Sequence, residues 1–293
     1  METDSSEKPH LIAAFSDTHV NSLVGLVPPG SSLGDGITAT IRNAERWLWR
    51  RWLGYWDWIA ELKQELDAYV TSLCVGDAVD KNRKGHYGLV SQNEAIIIDM
   101  GCAAWEPVQA VSDLDIIVRG TDTHTGEQAH LEELFASAID AAKNEQGLDA
   151  WPFAEFRANR VGIYAAHKPE THGTLWHTEG PGIARNKAYF RAAMLDAGRD
   201  VPDVALFGHY HRPLDTGDLF GGPRMIFLPS FQLTSHYYAV SMGRAHRVAP
   251  VGGIAVICRG GKFEVREKTF LPANIRRKPW SIEDIVLSQP KRT

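Results

Sequence analysis

Five apolar runs of strand length each end on a short segment carrying aspartate or histidine, and this recurrence constrains the fold more than any other feature of the chain. Leu11–Phe15 leads to Asp17-Thr18-His19 and Thr71–Val75 to Gly76-Asp77. Asp115–Val118 leads to Gly120-Thr121-Asp122-Thr123-His124, Val161–Ala166 to His167, and Val204–Phe207 to Gly208-His209-Tyr210-His211. Each run has strand length and is bounded by turn residues. Ligands of open α/β sheets gather outside the carboxyl ends of strands, so these segments are expected to converge on one sheet edge. A donor set of four histidines (His19, His167, His209, His211) and two aspartates (Asp17, Asp77) suits Mn, Fe, Zn or Ni. Mg and Ca favour all-oxygen shells. The pattern implies two divalent metal ions, with Mn as first choice, in a hydrolytic centre.

Each residue also has a plainer reading. A lone Asp-x-His after a strand is usually a capped loop. Gly208-His209-Tyr210-His211 changes that balance, because two alternating histidines in a loop have little structural purpose of their own. His167 could be an ordinary buried histidine, with His172 or His177 as ligand in its place, but it alone ends its strand directly. His124 is either an exposed loop residue or a catalytic one. Asp80 and Asn82 read as shaping the loop after Asp77, and His86 as a substrate contact or a surface residue.

The order and spacing of the blocks resemble the calcineurin-like metallophosphoesterase family, whose motifs run Asp-x-His, Gly-Asp, Gly-Asn-His-Asp/Glu, His and Gly-His-x-His. The resemblance covers residues 11 to 230, and four of the five blocks match residue by residue. The third departs: Thr121 stands where the family has Asn, Asp122 replaces the following His, and His124 comes two positions later. This region is similar to phage-type variants that read Gly-Thr-x-x-His. The resemblance implies that Asp17, His19, Asp77 and His211 hold one metal. Asp77, His167, His209 and a group from Thr121-Asp122 would hold the other, which makes Asp77 the bridge. It further implies a phosphoester substrate attacked by metal-activated water; His124 is the candidate to protonate the leaving group or to stabilise charge in the transition state. A phosphodiester, with DNA or RNA as a candidate, is the expected substrate. A phosphomonoester, a small diester, or a metal-binding protein without turnover are the alternatives.

The net charge of −5 gives no overall basic field for binding a duplex. Arg46, Arg50, Arg51, Lys81, Arg83 and Lys84 could line a local groove or simply face solvent. The basic stretches 276–278 and 291–292 read as part of a tail over 271–293. No apolar run approaches the ~18 residues of a membrane span. Three well-separated cysteines, Cys74, Cys102 and Cys258, read as reduced core residues and place the chain in the cytoplasm. No Gly-x-Ser-x-Gly, Gly-x-Gly-x-x-Gly or Walker loop is present, which disfavours serine hydrolases, dinucleotide enzymes and P-loop ATPases.

A helix is expected over 42–69, where Leu48, Trp52, Tyr55, Ile59, Leu62 and Leu66 form one apolar stripe opposite Arg46, Arg50 and Asp57. Trp47, Trp49, Trp56 and Trp58 widen that stripe. Core packing explains it best; a homo-oligomer interface or a platform for bases are alternatives. Gly54 within this helix suggests close packing. Further helices are expected over 89–105 and 127–143, and a hairpin turning at Asn159-Arg160. Residues 21–41 are expected to form a long loop, either a lid or substrate contact or a disordered stretch. The late strands at 225–228, 253–258 and 263–269 are expected to complete a second sheet. Together these give one α/β (α+β type) domain over 1–293, a four-layer sandwich of two mixed β-sheets flanked by helices.

Overall fold

The computed structural model describes residues 8–81, 88–169, 179–218, 221–233 and 249–272. In chain order these begin with β1 (His10–Phe15), a small hairpin of β2 (Ser32–Gly34) and β3 (Ile37–Thr38), α1 (Asn43–Leu66) and β4 (Tyr69–Val75). Then come α2 (Glu94–Gln109), β5 (Leu114–Val118), a one-turn helix α3 (Asp122–Thr125), α4 (His130–Ala138) and β6 (Ala150–Trp151). The chain continues through β7 (Ala154–Ala158), β8 (Val161–Ala166), α5 (Glu179–Asp196), β9 (Val204–Phe207) and β10 (Leu214–Asp215). It closes with β11 (Arg224–Phe227), β12 (Val251–Arg259) and β13 (Lys262–Phe270).

The apolar runs are strands because both of their faces are covered, the situation in which alternation disappears from a strand's sequence. In β1, Leu11, Ala13 and Phe15 pack under the helices, while Ile12 and Ala14 face the second sheet. One sheet runs β13-β12-β1-β4-β5-β6 and the other β10-β11-β9-β8-β7. Helices α1, α2 and α4 cover the outer face of the first sheet, apolar side chains fill the space between the sheets, and Phe190 of α5 packs on the outer face of the second. The four layers are therefore helix, sheet, sheet, helix.

Three expectations require correction. Only β11 of the late strands joins the second sheet. β12 pairs antiparallel with β1 (Ala13 opposite Ala255) and carries β13 on its far side, so residues 251–270 extend the first sheet. A local apolar pattern specifies a strand but not its partner, which here lies at the other end of the chain. The helix expected over 127–143 is shorter, because Gln128 and Ala129 adopt left-handed backbone (φ 54° and 57°) and α4 begins only at His130. α2 likewise starts late: the Asn93 side chain accepts the Ala95 N–H at 3.0 Å as its cap. Residues before it are held by Asn21, whose amide side chain bonds the backbone of Ser91 in both directions.

The tryptophan-rich helix spends its width on the core. Trp52 and Trp56 are buried against Phe15, Trp105 and Phe231, and the Trp52 indole donates to Ala104 O at 2.9 Å. Trp47, Trp49 and Trp58 lie half-buried around them. Truncating Trp52 to Ala should cost ~3–5 kcal/mol. Gly54 does not reflect close packing, since a Cβ there would meet only Phe270 Cζ at 3.8 Å. Of the basic residues that could line a groove or face solvent, Arg51 stacks over the Trp47 and Phe270 rings, Lys81 pairs with Glu94, and Arg46 and Arg50 are exposed. Among the described residues no helix is long and apolar enough to cross a membrane. Asn82, Arg83, Lys84, His86, His172, His177 and the tail from 273 lie outside the described residues.

Candidate metal centre

Strand register brings the motifs together. β1 and β4 are parallel, with Phe15 opposite Cys74. Beyond the strands the pairing continues: Asp17 N–H donates to Gly76 O and His19 N–H to Asp77 O, both at 3.0 Å. Val75 lies opposite Val118 of β5, which places Thr121 beside Asp77. The Thr121 N–H donates to Asp77 Oδ1 at 2.7 Å, and its hydroxyl lies 3.2 and 3.3 Å from the two carboxylate oxygens. In the second sheet Ala166 faces Phe207, and Gly208 N–H donates to His167 O at 3.1 Å. The two sheets meet where His209 N–H donates to Asp17 Oδ2 at 2.9 Å. The motifs thus gather at a shared end of two sheets rather than along one sheet edge.

The local backbone is unusual. Asp17, His19, Asp77, His209 and His211 all have left-handed φ, between 42° and 72°. For residues with a Cβ this costs of order 1–3 kcal/mol each and persists only where the surroundings impose it. Close approach demands glycine at two neighbours. A Cβ on Gly120 would lie 2.1 Å from Asp77 Oδ1, and one on Gly208 would lie 2.6 Å from Val75 O.

Among the described residues, three sets of side chains offer ligand atoms to a common point: Asp17, His19 and His211; His19, Asp77 and His124; and Asp77, His167 and His209. Asp17 Oδ1 lies 3.0 Å from His211 Nε2, 3.6 Å from His19 Nε2 and 3.9 Å from His167 Nε2. Asp77 Oδ2 lies 3.2 Å from His167 Nε2 and 4.0 Å from His19 Nε2. Yet, among the described residues, Asp17 Oδ1, both ring nitrogens of His19 and Nε2 of His167 are buried without a hydrogen bond. Buried polar atoms are nearly always satisfied. Donor atoms crowded within 4 Å but not aligned on one another are arranged for a cation between them, so the residues present fit divalent metal ions.

The electrostatics agree. Burial opposes its charge, but the adjacent His211 and His167 imidazoles hold the Asp17 carboxyl well below its ordinary value. Asp77 is drawn down to about 2 by His167 and His19 against the same burial. Burial disfavours protonated His167, but Asp77 and Asp17 outweigh it and push its pKa to about 9. His209 moves to about 4, through burial and the charge of His167, which leaves it a neutral donor at neutral pH. His167 Nδ1 lies 2.8 Å from Val75 O, so Nδ1 carries the proton and Nε2 faces the cluster, as a metal-binding histidine requires.

The third block divides. His124 joins the cluster, its ring 4.5 Å from that of His19. Thr121 holds the Asp77 carboxylate. Asp122 is exposed at the start of α3 and belongs to none of the three sets. A ligand role for it is not supported by this geometry, because the one-turn helix directs the loop's inner positions to Thr121 and His124. Two buried carboxylates support the site: Asp80, expected to shape the loop after Asp77, and Glu132, which the sequence reading missed. Asp80 reaches His19 Nδ1 at 3.2 Å and His124 Nδ1 at 3.0 Å; its spacing after Asp77 was the available signal. Glu132 on α4 accepts the Ala78 and Gly120 N–H groups. Nothing in Leu131-Glu132-Glu133-Leu134 separates it from a solvent-facing glutamate.

No protein-family model matches the chain, and no curated protein matches it. Among solved structures, Vps29 from Entamoeba histolytica complexed with zinc is 12% identical, with a TM-score of 0.41 over 89% of this chain and 98% of the other. A predicted phosphoesterase from Streptococcus pneumoniae is 11% identical, with a TM-score of 0.36 over 91% and 100%. An archaeal phosphodiesterase is 13% identical, with a TM-score of 0.40 over 89% and 99%. At these identities and scores the roles of the residues rest on the site's own geometry.

Proposed function

We propose that the chain is a metal-dependent phosphoesterase with two divalent ions, acting on a phosphodiester, with nucleic acid as the candidate substrate and the cytoplasm as its compartment. The observation that carries this reading is the position of Asp77, a member of two of the three ligand sets. A carboxylate has two oxygens to share between two cations ~3.5–4 Å apart. When bound, the ions would lower the pKa of water and offset charge on the phosphoryl oxygens, with Mn favoured by the mixed nitrogen and oxygen donors.

The chain's own residues account for the remainder. Thr121 and the backbone orient Asp77. Asp80 accepts from His124 Nδ1, so His124 in its imidazolium form would present its second proton, on Nε2, to the leaving oxygen and return to the neutral ring. Hydrolysis of bis-p-nitrophenyl phosphate, p-nitrophenyl phosphate and single-stranded DNA with added Mn²⁺ tests the proposal. Diester turnover abolished by chelation and restored by Mn²⁺ is expected. Metal binding without turnover of any of the three would favour the second reading, a metal-binding protein without catalysis, for which the exposed Asp122 is the specific support.

A further inference from the structure

Resting on the metal-centre reading above, we propose that Glu132 is a positioning residue. It sets the spacing of the loops that carry Asp77 and Thr121, and through it the affinity of the ion held by Asp77, His167 and His209. Glu132 exposes none of its surface. Its Oε1 accepts the Ala78 N–H at 2.8 Å and its Oε2 the Gly120 N–H at 2.5 Å. One carboxylate thus joins the residue after Asp77 to the residue before Thr121, at the ends of β4 and β5. The spacing it fixes is tight. Thr121 N–H must reach Asp77 Oδ1 at 2.7 Å, while Gly120 approaches Asp77 so closely that no Cβ fits.

Core packing does not explain this side chain. Leu131 and Phe135 supply the apolar face of α4, and among the described residues Glu132 has no ion-pair partner. A buried carboxylate gives up its hydration, and two backbone hydrogen bonds return only part of that loss. Only a fork of two acceptor oxygens spans both donors. Glutamine would turn an NH₂ toward one N–H, and alanine would leave both unsatisfied. The next residue, Glu133, makes the parallel clamp one strand further out. It accepts the Asp149 and Ala150 N–H groups at 2.9 and 3.0 Å and is half-exposed. The buried member of the pair is the one placed beside the ligands.

The test is calorimetric titration of the metal-free full chain with Mn²⁺, for the wild type, Glu132→Gln, Glu132→Ala and, as a destabilised control, Leu48→Ala. Circular dichroism would check the fold, and the visible spectrum of Co²⁺-loaded protein would report ligand geometry. Two ions are expected on the wild type. Both Glu132 variants should bind one ion normally and the other 10–100-fold more weakly, the range typical of partners that orient metal ligands, with an altered Co²⁺ spectrum. Leu48→Ala should lose stability but keep both affinities. A folded Glu132→Gln protein with two wild-type affinities overturns the proposal and leaves the metal reading intact. A wild type that binds no ion overturns both. If neither variant folds with or without metal, Glu132 belongs to the fold and the proposal falls.

Discussion

His124 Nδ1 stands 3.0 Å from Asp80 Oδ1, and the other oxygen of the same carboxylate lies 3.2 Å from His19 Nδ1. One buried aspartate therefore bonds one imidazole and lies against another, the two rings being 4.5 Å apart. The carboxylate accepts from His124 Nδ1, so that nitrogen carries a proton, while His19 Nδ1 lies close to the other oxygen without a hydrogen bond to it.

That arrangement separates two roles for His124. As a proton donor, its loss in His124→Ala should slow substrates with poor leaving groups far more than p-nitrophenyl esters, which depart without protonation. The difference should approach the ~10²–10⁴-fold usual for general acid catalysis. Asp80→Asn should show the same leaving-group dependence more weakly. Equal slowing of all substrates with reduced metal affinity would instead make His124 a ligand.

Asp77→Asn should abolish turnover and reduce metal content from two ions to one or fewer, while the fold survives. The amide oxygen can still accept the Thr121 N–H, but the negative charge shared by two dications is gone. Metal analysis and a thermal melt decide it; near-normal turnover would exclude Asp77 as the bridge.

His209 and His211 belong to different ligand sets. His209→Ala should therefore deplete the ion at Asp77 and His167, and His211→Ala the ion at Asp17 and His19. Each variant should retain close to one ion per chain by metal analysis. Two ions retained in both would show that the alternating histidines are not ligands.

Much of this site was legible in the sequence because strands buried on both faces announce themselves as continuous apolar runs. β8 and β9 fall on the expected residues, and β1, β4 and β5 begin one or two residues early. The ligating loops follow because a strand's end fixes where its next side chains emerge. Less legible were features set by distant partners. The pairing of β12 with β1 joins residues far apart in the chain. Asp122 and His124 could be ranked only once the turn of α3 showed which of them faces inward. Glu132 is invisible locally, since its meaning lies in two backbone N–H groups contributed by other loops.

The stability of the chelated protein and the increment contributed by metal should run in opposite directions with pH. In chelated protein the pKa of His167 is about 9, against an ordinary 6.5: burial lowers it, and Asp77 and Asp17 raise it further. A raised pKa means the folded state holds the proton more tightly. The stabilisation is complete below pH 6.5 and is lost as pH rises through about 9. His209, lowered to about 4, opposes this only below 6.5. The urea midpoint in EDTA should therefore fall between pH 6.5 and 9. Divalent ions require the unprotonated imidazole, so binding releases the proton and the stabilisation from saturating Mn²⁺ should grow over the same range. A chelated midpoint that rises with pH, or a metal increment that shrinks, would mean that the protons are not held where Asp17, Asp77 and His167 converge.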